Sequence, residues 1–92
     1  MSEEDFKDIR TGVIGVGSMG QNHARVYSEI SDLVGVVDAS VDQAKRIGSR
    51  FSCNHYTDYN KLLKEVDAVS IAVPTNLHRE VAEAATAAGV HI

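Results

Sequence analysis

GVIGVGSMGQNHA, residues 12–24, joins a run of apolar residues to an amphipathic segment through three glycines, Gly15, Gly17 and Gly20. Taken alone, this G-x-G-x-x-G spacing fits equally well a tight turn or a loop that cradles an anion. Its surroundings are informative. Residues 11–16 predict a buried strand, and one face of a helix follows at i, i+3, i+4 and i+7 in His23, Val26, Tyr27 and Ile30. The stretch therefore predicts a strand, a glycine turn and a helix in succession.

The same alternation of short apolar runs and helical periods continues along the chain. Residues 33–38 (LVGVVD), 53–57 and 67–73 (DAVSIAV) predict three further strands, and residues 90–92 predict the opening of a fifth. Apolar residues at helical spacing predict the intervening helices, with buried faces made of Val41, Ala44 and Ile47, of Tyr59, Leu62, Leu63 and Val66, and of Leu77, Val81, Ala84, Ala85 and Ala88.

Several residues mark the ends of these elements. Ser40 followed by Gln43 is a capping-box pattern, in which the Ser side chain caps a helix and the Gln side chain reaches back. Gly48 is predicted to help end that helix, and Gly89 to cap the end of the last one. Pro74 is predicted to stop the fourth strand.

Strands alternating with helices predict the α/β class. Because crossover connections between parallel strands are right-handed, we expect a Rossmann-like, doubly wound parallel sheet in the order 3-2-1-4-5, truncated at the start of the fifth strand.

In such a fold the glycine loop holds a pyrophosphate. Gly15 ends the first strand, Gly17 lies where a side chain would block the phosphates, and Gly20 lies where the helix approaches the sheet. The free N–H groups near Ser18 and Met19, together with the positive end of the helix dipole, favour an anion there.

Asp38 ends the second strand, 18 residues after Gly20. A carboxylate at this place accepts hydrogen bonds from the adenosine ribose and repels a 2′-phosphate, so NAD is favoured over NADP. Ala39 brings no basic group, although Lys45 or Arg46 could reach toward this position. Asp38 could instead be a solvated turn residue or a helix-cap acid.

A second candidate segment, VPTNLH at residues 73–78, follows the fourth strand at the carboxyl end of the sheet, where ligands bind in such folds. Thr75 or Asn76 is expected to cap the next helix, a role compatible with cofactor contact. His78 falls in the first turn of that helix, and a lone His is more often structural than catalytic.

The other histidines give no evidence of a metal. His23, His55 and His91 have no metal-ligand spacing, and we expect no metal site. His23 lies on the apolar side of its helix, where we expect a packed, hydrogen-bonded side chain.

Composition narrows the function classes. The formal net charge is −4, and four acids and one base lie within the first eight residues, so we expect a flexible acidic tail over residues 1–9 and a dinucleotide-binding domain over residues 10–92. The composition has no excess of Lys and Arg of the kind that would indicate a nucleic-acid partner. Cys53 is the single cysteine, and neither a leader pattern nor an apolar run of about 18 residues is seen. We expect a cytoplasmic protein without a membrane partner.

The motifs in combination resemble the Gfo/Idh/MocA oxidoreductases. GVGSMGQNHA, VVDAS, DAVSIAVPTNLHREVA and AAGVHI are similar to the N-terminal half of that family, and the likeness runs from Arg10 to Ile92. Within the family, the sequence of these motifs is most similar to that of the sugar-nucleotide dehydrogenases, such as those oxidising the 3-position of UDP-N-acetylglucosamine. The resemblance implies cofactor contacts from Gly15, Gly17, Ser18, Met19, Gly20, Asp38, Ala39, Val73, Thr75, Asn76 and His78.

The resemblance also implies an activity for an intact parent protein. That protein would be an NAD-dependent dehydrogenase moving hydride between nicotinamide and a hydroxyl of a sugar, sugar nucleotide or cyclitol. The family adds a larger α/β domain with the substrate site and often an oligomer interface.

In the family the strand that begins here as VHI runs into a Glu-Lys-Pro motif whose Lys acts on the substrate hydroxyl. That motif and the second domain are missing here. We therefore expect a fragment with no catalytic residue that is inactive alone, derived from a homo-oligomeric parent, and prone to self-association through an exposed sheet edge. A stand-alone regulatory nucleotide-sensing module is the alternative, because such modules share the glycine loop and the strand-two acid. A domain that has lost its ligand is a third possibility, which no substitution at the glycines supports.

Overall fold

Four parallel strands form the centre of the computed structural model, which describes residues 6–92. The strands are β1 (Arg10–Ile14), β2 (Asp32–Val37), β3 (Asn54–Tyr56) and β4 (Ala68–Ile71), and the helices between and after them are α1 (Ser18–Ile30), α2 (Val41–Arg50), α3 (Tyr59–Leu63) and α4 (Thr75–Ala87). Each strand is thus followed by a helix, as the alternating pattern predicts.

The sheet has the order β3-β2-β1-β4, with every neighbouring pair parallel. This order confirms the predicted Rossmann-like α/β fold. Beside β4, the start of a fifth strand is present as one parallel bridge between Ala68 and His91. There Val69 N–H donates to the His91 carbonyl at 2.8 Å, and His91 N–H donates to the Asp67 carbonyl at 3.0 Å.

The predicted flexible acidic tail falls partly outside the described residues, since residues 1–5 are not among them. Residues 6–9 make a turn, in which Ile9 N–H donates to the Phe6 carbonyl at 3.0 Å. The Ile9 carbonyl in turn accepts from Asp32 N–H at 3.0 Å, which attaches this turn to the first residue of β2.

Successive side chains of the central strands enter two different cores. The core under α1 and α2 contains Val13, Val16, Ala24, Leu33, Val36 and Ile47. The core under α3 and α4 contains Ile14, Val37, Leu62, Leu63, Val66, Val69, Val81, Ala85 and Val90. Because side chains alternate across a strand, a sheet covered on both faces needs apolar residues at consecutive positions, which is why β1 and β2 are nearly continuous apolar runs.

Three predicted helix faces are partly wrong. In the face predicted for α4, Leu77 is 44% exposed and Ala88 is exposed as well. In α1 the buried residues are Gly20 and Ala24, whereas Val26 and Ile30 are 39% and 37% exposed. In α2, Val41 is 60% exposed, while Ala44 and Ile47 are buried as predicted. Small residues allow a helix to lie close to the sheet, so they occupy the contact line and turn some larger apolar residues outward.

Two glycines predicted at helix ends behave differently. Gly89 has φ +75°, and its N–H and that of Val90 donate to the carbonyls of Thr86 and Ala85 at 3.0 and 2.9 Å, which confirms the predicted cap. Gly48 does not end its helix, because α2 continues to Arg50. A Cβ at Gly48 would lie 3.1 Å from the Cys53 carbonyl oxygen, so this glycine allows α2 to pack on the segment entering β3.

The exposure difference along α2 gives a stability prediction. Ile47→Ala should lower the free energy of unfolding by about 2–4 kcal/mol, because Ile47 is fully buried, and Ile47→Val should lower it by about 1 kcal/mol. Val41→Ala on the same helix should change it by less than about 0.5 kcal/mol. Urea titration followed by circular dichroism measures all three, and similar losses for Ile47→Ala and Val41→Ala would contradict the burial described.

Candidate functional site

A cleft of about 400 Å³ opens at the carboxyl ends of β1, β2 and β4. This is the place where a doubly wound sheet binds its ligands, since the connections after β1 and β4 leave toward opposite faces. The cleft is lined by Ile14, Gly15, Gly17, Val37, Asp38, Ala39, Thr57, Tyr59, Ala72, Val73, Pro74, Leu77, Glu80 and Val81.

Gly15 lies where the loop after β1 passes between the ends of its two neighbouring strands. Its N–H donates to the Val37 carbonyl at 2.7 Å, and its φ of +93° is a conformation that L side chains rarely adopt. A Cβ at this position would also lie 2.5 Å from the Ala72 carbonyl oxygen. The chain can turn here only with glycine.

Gly20 and Gly17 are required for different reasons. A Cβ on Gly20 would lie 1.7 Å from the Gly15 carbonyl oxygen, so Gly20 allows α1 to start against the loop. Gly17 has ordinary extended angles (φ −70°, ψ −164°), and a Cβ there would meet no atom within 4 Å. No protein neighbour among the described residues demands glycine at position 17, and its open side is room at the cleft for a ligand.

Two of the helices that begin at the cleft, α1 and α4, lack side-chain caps. The N-cap of α1 is Gly17 and that of α4 is Pro74, whereas Ser40 and Asp58 cap the other two helices through their side chains. In α1 the first intrahelical bond comes from Gln21 N–H to the Gly17 carbonyl at 2.9 Å. The preceding N–H groups and the positive end of the dipole are therefore available to an anion.

The Asp38 carboxylate is held in place by two backbone donors. Oδ2 accepts from Val16 N–H at 3.0 Å, and Oδ1 accepts from Ser40 N–H at 2.9 Å. Asp38 thus supports the start of α2, as the helix-cap alternative proposed, and it also lines the cleft. Each carboxylate oxygen has a second lone pair, so the group can still accept hydrogen bonds from ligand hydroxyls.

The capping box is only half formed. Ser40 Oγ accepts from Gln43 N–H at 3.3 Å, as predicted. The reciprocal bond is absent, because Asp38 already accepts from Ser40 N–H. The Gln43 side chain instead donates to the Val16 carbonyl in the glycine loop at 2.7 Å.

The predicted site residues fall into two groups. Five of them line the cleft, and these are Gly15, Gly17, Asp38, Ala39 and Val73. Six do not, and these are Ser18, Met19, Gly20, Thr75, Asn76 and His78. Of these six, all but the buried Gly20 are exposed and lie in the first turns of α1 and α4. The prediction that Thr75 or Asn76 caps α4 is wrong, since Pro74 occupies the N-cap and no side chain caps it.

Sequence reasoning missed one wall of the cleft, formed by Thr57, Tyr59, Leu77 and Glu80. Desolvation, followed by a hydrogen bond to the Glu80 carboxylate, raises the pKa of the Tyr59 phenol. The position of Thr57 in the sequence could have indicated this wall, since Thr57 directly follows β3 at the same edge of the sheet as Asp38. The sequence pattern predicts Tyr59 and Leu77 only as core residues.

His23 is half-buried, and its Nδ1 lies 2.6 Å from Ser70 Oγ on β4, which agrees with a packed, hydrogen-bonded side chain. Within residues 6–92, no three His, Cys, Asp or Glu side chains converge as metal ligands would. None of the helices in this part of the chain combines the length and apolar character needed to cross a membrane.

Comparison with known proteins agrees with this geometry. Residues 9–92 match the Gfo/Idh/MocA family model, described as an oxidoreductase family with an NAD-binding Rossmann fold. UDP-N-acetylglucosamine 3-dehydrogenase from Acidithiobacillus ferrooxidans is 48% identical over 90% of this chain and 26% of its own length. Its solved structure superposes with a TM-score of 0.89 over 91% of this chain and 28% of that one.

Two more distant relatives share the same region. Inositol 2-dehydrogenase from Rhizobium meliloti is 34% identical over 88% of this chain and 26% of its own length. The structure of GenD2 from gentamicin A biosynthesis in complex with NAD is 30% identical, with a TM-score of 0.87 over 91% of this chain and 25% of that one. The chain spans about a quarter of the length of the curated relatives it matches.

The contrast between two glycines gives a prediction about stability and ligand binding. Gly17→Ala should change the free energy of unfolding by less than about 1 kcal/mol, because the new methyl meets no neighbour. The same change should weaken NADH binding about tenfold or more by occupying the open side of the loop. Gly20→Ala should destabilise the fold strongly. Thermal melts and NADH fluorescence titrations measure both quantities, and NADH binding unchanged in Gly17→Ala would contradict this assignment.

Proposed function

We propose, because this chain belongs to the Gfo/Idh/MocA oxidoreductase family, that residues 10–92 are the NAD(H)-binding domain of a dehydrogenase acting on a hydroxyl of a sugar, sugar nucleotide or cyclitol. When bound, the nicotinamide would accept or donate the hydride. The residues described here would bind and orient the cofactor.

One observation carries the proposal, namely the open side of Gly17 at the uncapped start of α1. A pyrophosphate needs backbone N–H donors, a positive dipole end and the absence of a side chain, and all three coincide at this loop. On the neighbouring strand end, the anchored Asp38 carboxylate is suited to accept hydrogen bonds from the adenosine ribose hydroxyls.

The charges around the cleft favour NAD over NADP. Asp38 and Glu80 both line it, and no Lys or Arg of residues 6–92 is among the lining residues. Arg46, which could have offset the Asp38 charge, instead donates from Nη2 to Gln43 Oε1 at 2.8 Å. A 2′-phosphate beside Asp38 would therefore lie against a carboxylate, which repels it.

The substrate class rests on the relatives. UDP-N-acetylglucosamine and inositol, which appear in their names, both present secondary hydroxyls on a polyhydroxylated ring. The 48% identity to the first supports a sugar nucleotide as the substrate of the intact protein. Four residues of this segment would lie nearer the nicotinamide half of the cofactor than the adenosine half, namely Val73, Thr75, Asn76 and His78.

Oxidation of a hydroxyl also needs a group that takes the proton. No Lys or His of residues 6–92 lines the cleft, so we assign no catalytic residue to this part of the chain. We propose that the acid and base come from protein outside these residues. A nucleotide-sensing module would also lack such a group, and this shared feature keeps that function as the second candidate.

The remaining expectations concern assembly and location. We propose that the intact protein is a homo-oligomer and that this domain self-associates through β4, whose outer edge is paired, among residues 6–92, only at the Ala68–His91 bridge. We propose a cytoplasmic location, in keeping with Cys53 as a free thiol.

A charge-removing substitution tests the cofactor assignment. Asp38→Asn should weaken NAD binding about tenfold and narrow the preference for NAD over NADP, because a hydrogen bond to a charged group is worth about 1.5–3 kcal/mol. Asp42→Asn, the same change at an exposed position of α2, is the matched control and should leave both affinities unchanged. Calorimetric titration with each cofactor measures them. Equal NAD affinity in Asp38→Asn and the unsubstituted chain would remove Asp38 from the ribose role.

A turnover assay tests the division of labour. The chain should bind NAD yet form no NADH when UDP-N-acetylglucosamine or inositol is added, because no Lys or His of the described residues lines the cleft to take the hydroxyl proton. NADH absorbance measures the reaction, with the whole dehydrogenase of a relative as the positive control. Sustained substrate-dependent NADH formation would refute the inactive assignment.

A further inference from the structure

One peptide group in the glycine loop is held from both sides. The Val16 carbonyl accepts two side-chain amides, Gln43 Nε2 at 2.7 Å and Gln21 Nε2 at 3.1 Å. The N–H of the same residue donates to Asp38 Oδ2 at 3.0 Å. Val16 is fully buried, so its carbonyl depends on these partners to be satisfied.

Fixing this carbonyl also fixes the N–H of Gly17. The Val16 carbonyl and the Gly17 N–H belong to one planar trans peptide, so they point in opposite directions. Within residues 6–92 the Gly17 N–H donates to no protein acceptor, and Gly17 lines the cleft. The two glutamines therefore determine the direction in which a free loop donor points.

The two glutamines are not equivalent. Gln21 belongs to α1 and follows the loop by a few residues, whereas Gln43 belongs to α2 and makes the shorter bond. Gln43 is also oriented at both ends, because its N–H donates to Ser40 Oγ and its Oε1 accepts from Arg46 Nη2 at 2.8 Å. Because the amide oxygen of Gln43 faces Arg46, the amide nitrogen faces the Val16 carbonyl.

We propose that Gln43 is a positioning residue for the cofactor's pyrophosphate, acting through the Val16–Gly17 peptide. This inference rests on the proposed function. The incomplete capping box explains how the residue is available, since Asp38 accepts from Ser40 N–H and thereby frees the Gln43 side chain. The Asp38 carboxylate, which is assigned to the ribose, and the Gln43 amide, which orients the glycine loop, belong to one hydrogen-bond network.

Binding measurements with two ligands test this role. Gln43→Met keeps the length of the side chain and removes the donor, and it should weaken NADH binding about five- to tenfold. Adenosine, which has the ribose but no phosphate, should bind within about twofold of the unsubstituted chain. A purely structural role would lower the melting temperature while leaving the NADH affinity of the folded protein unchanged, or would weaken both ligands equally.

A double-mutant cycle gives a second, sharper measure. Gln21→Met should weaken NADH binding less than Gln43→Met, because its bond is the longer of the two. The double variant should lose more than the product of the two single losses, since only then is the buried carbonyl left without a side-chain donor. Losses that simply multiply would overturn the shared-carbonyl mechanism.

The backbone N–H groups of the glycine loop allow the role of Gln43 to be measured in the ligand-free protein. In Gln43→Met the NMR signal of the Gly17 N–H should shift, and Val16 N–H should exchange faster with solvent.

If Gln43→Met does not fold, Gln43→Glu keeps the length and the Arg46 acceptor while placing an oxygen against the carbonyl, and it should weaken NADH binding further. Failure of the unsubstituted chain to bind NADH would refute the proposed function and this inference with it. NADH binding unaffected by either Gln43 substitution would refute this inference alone.

Discussion

The structure depends on one close contact, that of Gly20 in α1 with the carbonyl of Gly15 at the end of β1. A side chain at position 20 would lie 1.7 Å from that oxygen, so the helix can begin at this place only over glycine. Gly15 itself has positive φ and would strike Ala72 of the β4 connection with any side chain. The backbones of three elements, β1, α1 and the connection after β4, thus approach one another closely, and the end of the central strand becomes a junction.

This junction determines where the charge of the site can lie. Because α1 begins at a glycine, its first N–H groups have no side-chain cap, and α4 begins the same way after Pro74. The other two helices have Ser and Asp caps. Both uncapped helix starts lie at the cleft, where they favour an anion, while the nearby walls have the carboxylates of Asp38 and Glu80. Such a division suits a molecule with phosphate in its middle and a neutral nucleoside at one end.

Comparison with relatives extends this picture without replacing it. The shared region covers about nine tenths of this chain and about a quarter of each relative. The shared region is the parallel sheet and the helices that pack around the glycine junction. The network of Asp38, Ser40, Gln43 and Val16 adds that the glycine loop is held by a side chain from the second helix, so the two βα units are joined at the site itself.

The order of strands, the glycine loop and Asp38 could be predicted from sequence because each depends on local pattern or on a backbone conformation that few residues allow. Strand alternation, the spacing of Gly15, Gly17 and Gly20 and the Gly89 cap are of this kind. The partners of Gln43, the outward turn of Val41 and the wall formed by Tyr59 and Glu80 could not, because each depends on how closely separate elements pack. Only the folded chain shows that Asp38 accepts from the Ser40 N–H that a capping box would use, and that the Gln43 side chain then donates to the glycine loop instead.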